Sequence, residues 1–159
     1  MKSLFYYPTP IGRIVILENG NAITNLYFEG EPFPTEALVQ ETQLLKEAGH
    51  QLHRYFAGQL ESFTLPLAPG GTEYMRRVWD ALCAIPYGET RSYREVAASL
   101  GNPKAARAVG LANNKNPLPL FIPCHRVIGA NRKLVGYRGG LSAKEQLLAL
   151  EKQGSVHNS

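Results

Sequence analysis

"SYREVAASLGNPKAARAVGLAN", residues 92–113, decides how the second half of this chain folds. Ser92 followed three residues later by Glu95 is a capping box, the reciprocal pairing that starts a helix. Val96, Ala97 and Leu100 then share one face, so a short helix runs to Leu100. "GNPK" ends it, with Asn102 suited to cap the next helix and Pro103 to its first position. That second helix extends to about Asn113. Two helices joined by a four-residue turn containing glycine have helix-turn-helix spacing. Ala106 and its neighbouring alanines, with Gly110, keep the second helix low in relief, while Lys104 and Arg107 project from one side. Such a surface lets a backbone approach a nucleic-acid groove and offers cations to phosphates. The alternative is a small-residue helix packed tightly on a neighbour.

Charge favours the first reading. Residues 1–71 carry four basic and seven acidic side chains, whereas residues 72–159 carry thirteen basic and six acidic ones. A polyanion would therefore meet the second half, although a solvated basic surface gives the same count. The sign changes near "LAPGGT", residues 67–72, where Pro and Gly cluster, and this is the expected domain boundary. The division is 1–68, 69–154 and a tail, 155–159.

Working back toward the N-terminus, residues 2–7 and 12–18 read as strands joined by a Pro/Gly turn, and "ENGN" turns into a third at 22–28. A helix is expected over about 35–57 from the period of Leu38, Leu45, Ala48, Leu52, Tyr55 and Phe56. "GQLESFTLPL" returns as a short extended segment. Next, 72–85 forms an amphipathic helix through Met75, Val78, Trp79, Leu82 and Ile85, with Cys83 read as a core thiol. The last helix starts at "GGLSAKE" with a second capping box, Ser142 and Glu145, and Leu147, Leu148 and Leu150 mark its apolar side. Glu151 falls on or beside that stripe, either solvated at the helix end or paired inside.

The fold class is therefore α/β: a small antiparallel sheet with one helix, then a mostly helical domain. No apolar run approaches the roughly 18 residues that span a membrane. "MKSLFYYPTPIG" lacks the apolar stretch of a signal peptide, so a cytoplasmic protein is expected. Cys83 and Cys124 are expected reduced, and no Cys/His spacing suits a metal.

"IPCHRV", residues 122–127, places a thiol, an imidazole and a guanidinium inside an apolar run. Buried polar groups need partners, so these side chains either face water or have a task. Cys124 is the strongest nucleophile available, and a base or cation near it would lower its pKa. His125 is adjacent, but successive side chains of an extended segment face opposite ways, so contact would need a water or a kink after Pro123. Glu151 could orient the imidazole and favour its charged form, and Arg126 would anchor the segment on a carboxylate. A buried inert cysteine beside a structural histidine is the competing reading.

"GNPKAARAVGLANNKNPLPLFIPCHRVIG" followed by "VGYRGGLSAKEQLLALE" resembles the methylated-DNA–protein-cysteine methyltransferases, the 6-O-alkylguanine-DNA alkyltransferases. The likeness is strong from about Tyr74 to Glu151, and the N-terminal third agrees in architecture with the family's ribonuclease-H-like domain. The resemblance implies single, irreversible transfer of the alkyl group from the 6-oxygen of guanine, and extends to 4-O-alkylthymine, onto Cys124. It implies that His125 acts through a water, oriented by Glu151, and that Asn116 ties the turn before Cys124 to the helix-turn-helix. It makes Tyr93 the proton donor to ring nitrogen 3 of guanine, and Arg107 the residue that fills the stack after the nucleotide flips. Tyr137 and the backbone near Val135 would hold the base, with Ser92, Lys104, Ala106 and Arg138 among the DNA and substrate contacts.

Arg138 departs from the pattern, since many relatives carry a small residue there, usually Ser. The N-terminal part has no Cys, so the zinc of some relatives is not expected. Non-catalytic relatives replace the cysteine by tryptophan, and this chain keeps Cys124. The expectation is a monomeric, cofactor-free repair protein acting on double-stranded DNA, with an alkylguanine sensor that recruits other factors as the alternative.

Overall fold

The computed structural model describes residues 1–158, with side chains through residue 154, and divides into two compact units, 1–70 and 71–159. In the first, β1 (Ser3–Tyr7), β2 (Ile14–Glu18) and β3 (Ile23–Tyr27) form antiparallel neighbours, and β4 (Leu38–Val39) adds beside β1 in parallel. The sheet order is β3-β2-β1-β4, so β2 is interior and every one of its residues is buried. Helix α1 (Gln43–Phe56) packs against the sheet, turning Leu45, Ala48, Leu52 and Tyr55 inward. The returning segment touches the sheet once, through a bridge between Ile23 and Leu67.

The helix expected over 35–57 starts later than its hydrophobic period suggests. Leu38 N–H donates to the Lys2 carbonyl at 3.0 Å and Gln40 N–H to the Leu4 carbonyl at 3.1 Å. Backbone groups committed to a sheet edge cannot also close helical turns, so the helix waits for Thr42, whose hydroxyl accepts from Leu45 N–H.

The second unit contains α2 (Glu73–Cys83), α3 (Tyr93–Ser99), α4 (Ala106–Asn114) and α5 (Leu141–Asn158), with a two-stranded parallel pair β5 (Arg91–Ser92) and β6 (Val127–Ile128). The Ser92–Glu95 capping box opens α3 as the sequence predicts. A short 3-10 turn, Pro103–Ala105, separates α3 from α4, with the Asn102 side chain accepting from Lys104 N–H. Trp79 Nε1 donates to the Ala112 carbonyl at 2.9 Å and locks α2 to α4. Among the described residues no helix is long and apolar enough to cross a membrane.

Three expectations need correction here. Cys83 is exposed, because it is the last residue of α2 and lies one position past Leu82, about 100° round the helix from the buried stripe. The capping box at Ser142 does not form, because α5 begins at Leu141 and Lys144 N–H already bonds the Gly140 carbonyl. Gly140 supplies the turn into the helix with φ +94°, which a side chain would strain. The segment read as a tail is helical through Asn158, and Ser159 lies outside the described residues.

Candidate active site

"IPCHRV" is buried, yet it is not extended. Cys124–Arg126 form a 3-10 turn that leads into β6. Before it, Ile122 N–H bonds the Leu118 carbonyl at 2.8 Å, closing a tight turn in which buried Leu120 has φ 77°. A leucine in that region carries strain of about 1–3 kcal/mol, which neighbouring bonds must hold. Asn116 does this from inside: its Oδ1 accepts from Leu118 N–H and its Nδ2 donates to the Ile122 carbonyl, both at 2.9 Å. The same side chain opposes the rise that burial gives the Cys124 pKa, and it lines the cavity beside the thiol. Asn116 thus fixes the turn that leads into Cys124.

His125 and Glu151 are both fully buried, and the imidazole Nε2 lies 2.7 Å from Glu151 Oε2. Arg126 reaches the same carboxylate through Nε at 2.8 Å and Nη2 at 3.0 Å, while its Nη1 donates to the Ile85 carbonyl at 2.7 Å. Burial alone pushes the Glu151 carboxyl up, but His125 and Arg126 outweigh it and hold the group at about 2. An ionised carboxylate only accepts, so His125 carries its proton on Nε2 and leaves Nδ1 with a lone pair. That Nδ1 is buried and accepts from no protein group among the described residues. The imidazole therefore does not bond the thiol directly, as adjacency in sequence had left open.

The solvated reading of Glu151 is overturned: packed beside Leu147 on α5, it is a shared counter-ion for two consecutive residues. Glu151 does favour a charged imidazole, as the sequence led us to expect, but burial outweighs it and pulls the His125 pKa below its ordinary value. Burial likewise pushes the Cys124 thiol up, with partial relief from the Asn116 side chain and the charges of Arg138 and Lys144. The resting pair is a neutral thiol and a neutral imidazole.

A cavity of about 10 Å³, room for one water-sized group, opens beside Cys124 and is lined also by Asn116, Tyr137 and Arg138. Tyr93 is half-buried at the start of α3, its ring across from Gly110 of α4, and burial, then the Cys124 charge, raise its pKa. Val135 is exposed, and its carbonyl accepts from Lys144 Nζ at 2.8 Å. Ser92 spends its hydroxyl on capping α3. Lys104 and Arg107 are exposed and Ala106 is half-buried; none of the three lines the cavity.

Lys144 is the residue sequence reasoning missed. Fully buried on α5, it donates to the carbonyls of Val127 at 2.7 Å and Val135 at 2.8 Å, tying the strand after Cys124 to the segment that leads into the cavity wall. Its position three residues before Leu147 placed it on the apolar face, and that was the available signal. No group of three or more His, Cys, Asp or Glu among the described residues could hold a metal.

The chain is similar to known proteins along most of its length. The DNA-binding domain of 6-O-methylguanine DNA methyltransferase matches residues 73–153, and the ribonuclease-like domain of the same proteins matches residues 5–69. A methylated-DNA–protein-cysteine methyltransferase of Methanosarcina barkeri is 51% identical over 148 residues, covering 91% of this chain and 93% of its own. The constitutive protein of that name from Bacillus subtilis is 48% identical, covering 91% and 92%. Among solved structures, Mycobacterium tuberculosis OGT in complex with DNA superposes with a TM-score of 0.90 at 45% identity, covering 96% of this chain and 94% of that one.

Proposed function

Since the chain belongs to the 6-O-methylguanine DNA methyltransferase family, we propose that it repairs 6-O-alkylguanine in double-stranded DNA by taking the alkyl group onto Cys124, once per molecule. The observation that carries this reading is the lone pair of His125 Nδ1, buried next in sequence to a buried thiol and backed by Glu151.

The two halves of the site divide the work. Helix α4 enters the minor groove, where its small residues permit close approach, and Arg107 occupies the stack vacated by the flipped nucleotide. Flipping is required because a thiol cannot reach the 6-oxygen inside a duplex. The base enters beside Tyr137, and Sγ of Cys124 attacks the alkyl carbon. The thiol proton passes through a bridging water to His125 Nδ1, and the imidazolium forms against a carboxylate already ionised. The carbon–oxygen bond breaks, the electron pair leaves with guanine, and the Tyr93 hydroxyl supplies a proton to ring nitrogen 3.

Two neutral partners suit this order of events. The thiolate is generated as the alkyl carbon arrives, so the resting cysteine is shielded from other electrophiles. The product is a thioether, which has no leaving group that water could displace, so the protein is spent. The same displacement serves 4-O-alkylthymine, whose alkyl carbon is bonded to an equivalent oxygen. The displacement needs no cofactor and one protomer supplies every group named, which fits a monomer acting in the cytoplasm.

The test is intact-mass measurement after incubation with a duplex containing 6-O-methylguanine. A gain of one methyl group per chain, absent in Cys124→Ser, is expected. Binding without any mass gain would favour the sensor, and more than one repaired lesion per chain a turnover hydrolase.

A further inference from the structure

The cavity at Cys124 has a guanidinium in its wall. Arg138 lines the same space as the thiol and Tyr137, and its Nη1 donates to the Asn116 carbonyl at 2.5 Å. It is the only charged residue lining that cavity among the described residues, and no carboxylate lines it. Asn116 lies between the two groups: its backbone carbonyl holds Arg138, and it lines the cavity with the thiol. The Arg138 charge acts on Cys124 within this shared cavity.

We propose that Arg138 makes this pocket selective for short alkyl groups that end in an anion, carboxymethyl being the smallest, over neutral groups of the same shape. The inference rests on the alkyl-transfer reading above and specifies its substrate. A cavity of about 10 Å³ cannot admit a substituted base while the wall stands as it does, so the side chains at its rim shift on loading. Arg138 is exposed at the cavity rim, and its guanidinium drawn away from the Asn116 carbonyl loses that bond. A neutral carbamoyl returns one uncharged acceptor, whereas a carboxylate returns a charge-assisted pair with planar geometry matched to the guanidinium fork.

The same cation answers a second difficulty. A carboxylate on the alkyl carbon repels the incoming thiolate, and in a pocket of neutral residues this slows attack. Arg138 sits on the thiol's own cavity and offsets that repulsion. The step remains a displacement: Sγ bonds the methylene carbon, the bond from that carbon to the 6-oxygen breaks, guanine leaves with the electron pair, and the thiol proton goes to His125. The product is S-carboxymethylcysteine at position 124.

The experiment compares single-turnover transfer rates from duplexes carrying 6-O-carboxymethylguanine or its neutral isostere, 6-O-carbamoylmethylguanine, with 6-O-methylguanine as the control. The unsubstituted protein is expected to take carboxymethyl faster than carbamoylmethyl. The ratio of those two rates should fall by about tenfold or more in Arg138→Gln, and should stay above one in Arg138→Lys. Using a ratio within each protein removes any common loss from a disturbed turn. A slower carboxymethyl rate in the unsubstituted protein overturns the proposal whether or not the variants fold. An unchanged ratio in Arg138→Gln overturns it as well. Absence of methyl transfer from the control duplex would instead bring down the alkyl-transfer reading itself.

Discussion

His125 Nε2 lies 2.7 Å from Glu151 Oε2 in a fully buried pair, and the same carboxylate is gripped by Arg126 on both oxygens. One negative charge therefore serves two neighbours in sequence. The arrangement keeps Glu151 ionised, fixes the proton of His125 on Nε2, and holds the 3-10 turn that carries Cys124.

Removing that charge exposes both roles. Glu151→Gln leaves the Arg126 guanidinium buried without its counter-ion, which costs about 3–5 kcal/mol of stability. It also withdraws support from the imidazolium that forms during transfer, slowing the chemical step by about 10²-fold or more. Denaturant unfolding and single-turnover kinetics on the folded fraction measure the two separately. A variant as stable as the parent would mean that Arg126 finds another acceptor.

The dependence on pH follows from shifts of opposite sense. Burial draws His125 below its ordinary 6.5 and pushes Cys124 above 9.0, so neither midpoint falls between those values. The transfer rate should be level from pH 6.5 to 9.0 and fall only on the acid side, as Nδ1 takes a proton. Stability has its own signature. Glu151 is depressed from 4.5 to about 2, so its contribution is complete above 4.5 and is lost as the pH falls toward 2. His125 adds to this loss from 6.5 downward, because the unfolded imidazole binds the proton that the folded one resists. Unfolding free energy measured from pH 7 to 3 should decline throughout; a rise anywhere in that range contradicts the assignment.

The sequence carried the helices of the second unit because their signals are local. Ser92 and Glu95 specify a helix start within four residues, and the structure keeps it. Ser142 and Glu145 have the same spacing but lose to Gly140, whose carbonyl already receives the amide of Lys144. The late start of α1 was hidden because Leu38 and Val39 belong to a sheet edge set by distant Lys2 and Leu4. At the site, Cys124, His125 and Glu151 could be named, but the sign of the imidazole's shift could not. It depends on how completely the ring is buried, which only tertiary packing decides.

Arg107 is exposed on α4 and outside the cavity, so its contribution should appear in flipping and not in chemistry. Arg107→Ala is expected to lower repair of a methylated duplex by at least about tenfold while weakening binding to undamaged duplex only by one phosphate-sized contact. Repair of a single-stranded oligonucleotide, which needs no flipping, should be spared. Equal losses on single and double strands would remove Arg107 from the flipping step.

Gly110 lies inside α4, where a Cβ would meet only the Tyr93 ring, at 3.9 Å. That is ordinary contact, and glycine costs a helix interior about 0.5–1 kcal/mol relative to alanine. Gly110→Ala should therefore stabilise the protein by about that amount, read as a rise in the denaturant midpoint. A destabilised variant would show that the contact between α3 and α4 is tighter than 3.9 Å allows.

Lys144 offers the sharpest test of how the cavity wall is held. Its ammonium joins the Val127 carbonyl, just after the turn that carries Cys124, to the Val135 carbonyl, two residues before Tyr137. Lys144→Met keeps the length and the apolar stem but leaves two carbonyls without their charged donor, at a cost of about 2–3 kcal/mol. Part of that loss is returned, because burial already penalises the ammonium and draws its pKa below 10.5. The wall should loosen before the fold does. The amide of Gly129, bonded to the Lys133 carbonyl at 2.8 Å, reports on this directly. Its hydrogen exchange should quicken in Lys144→Met, while the amides of α2, to which the Lys144 ammonium does not donate, keep their rates. Uniform acceleration of both would mean that Lys144 supports the whole unit and not the wall in particular.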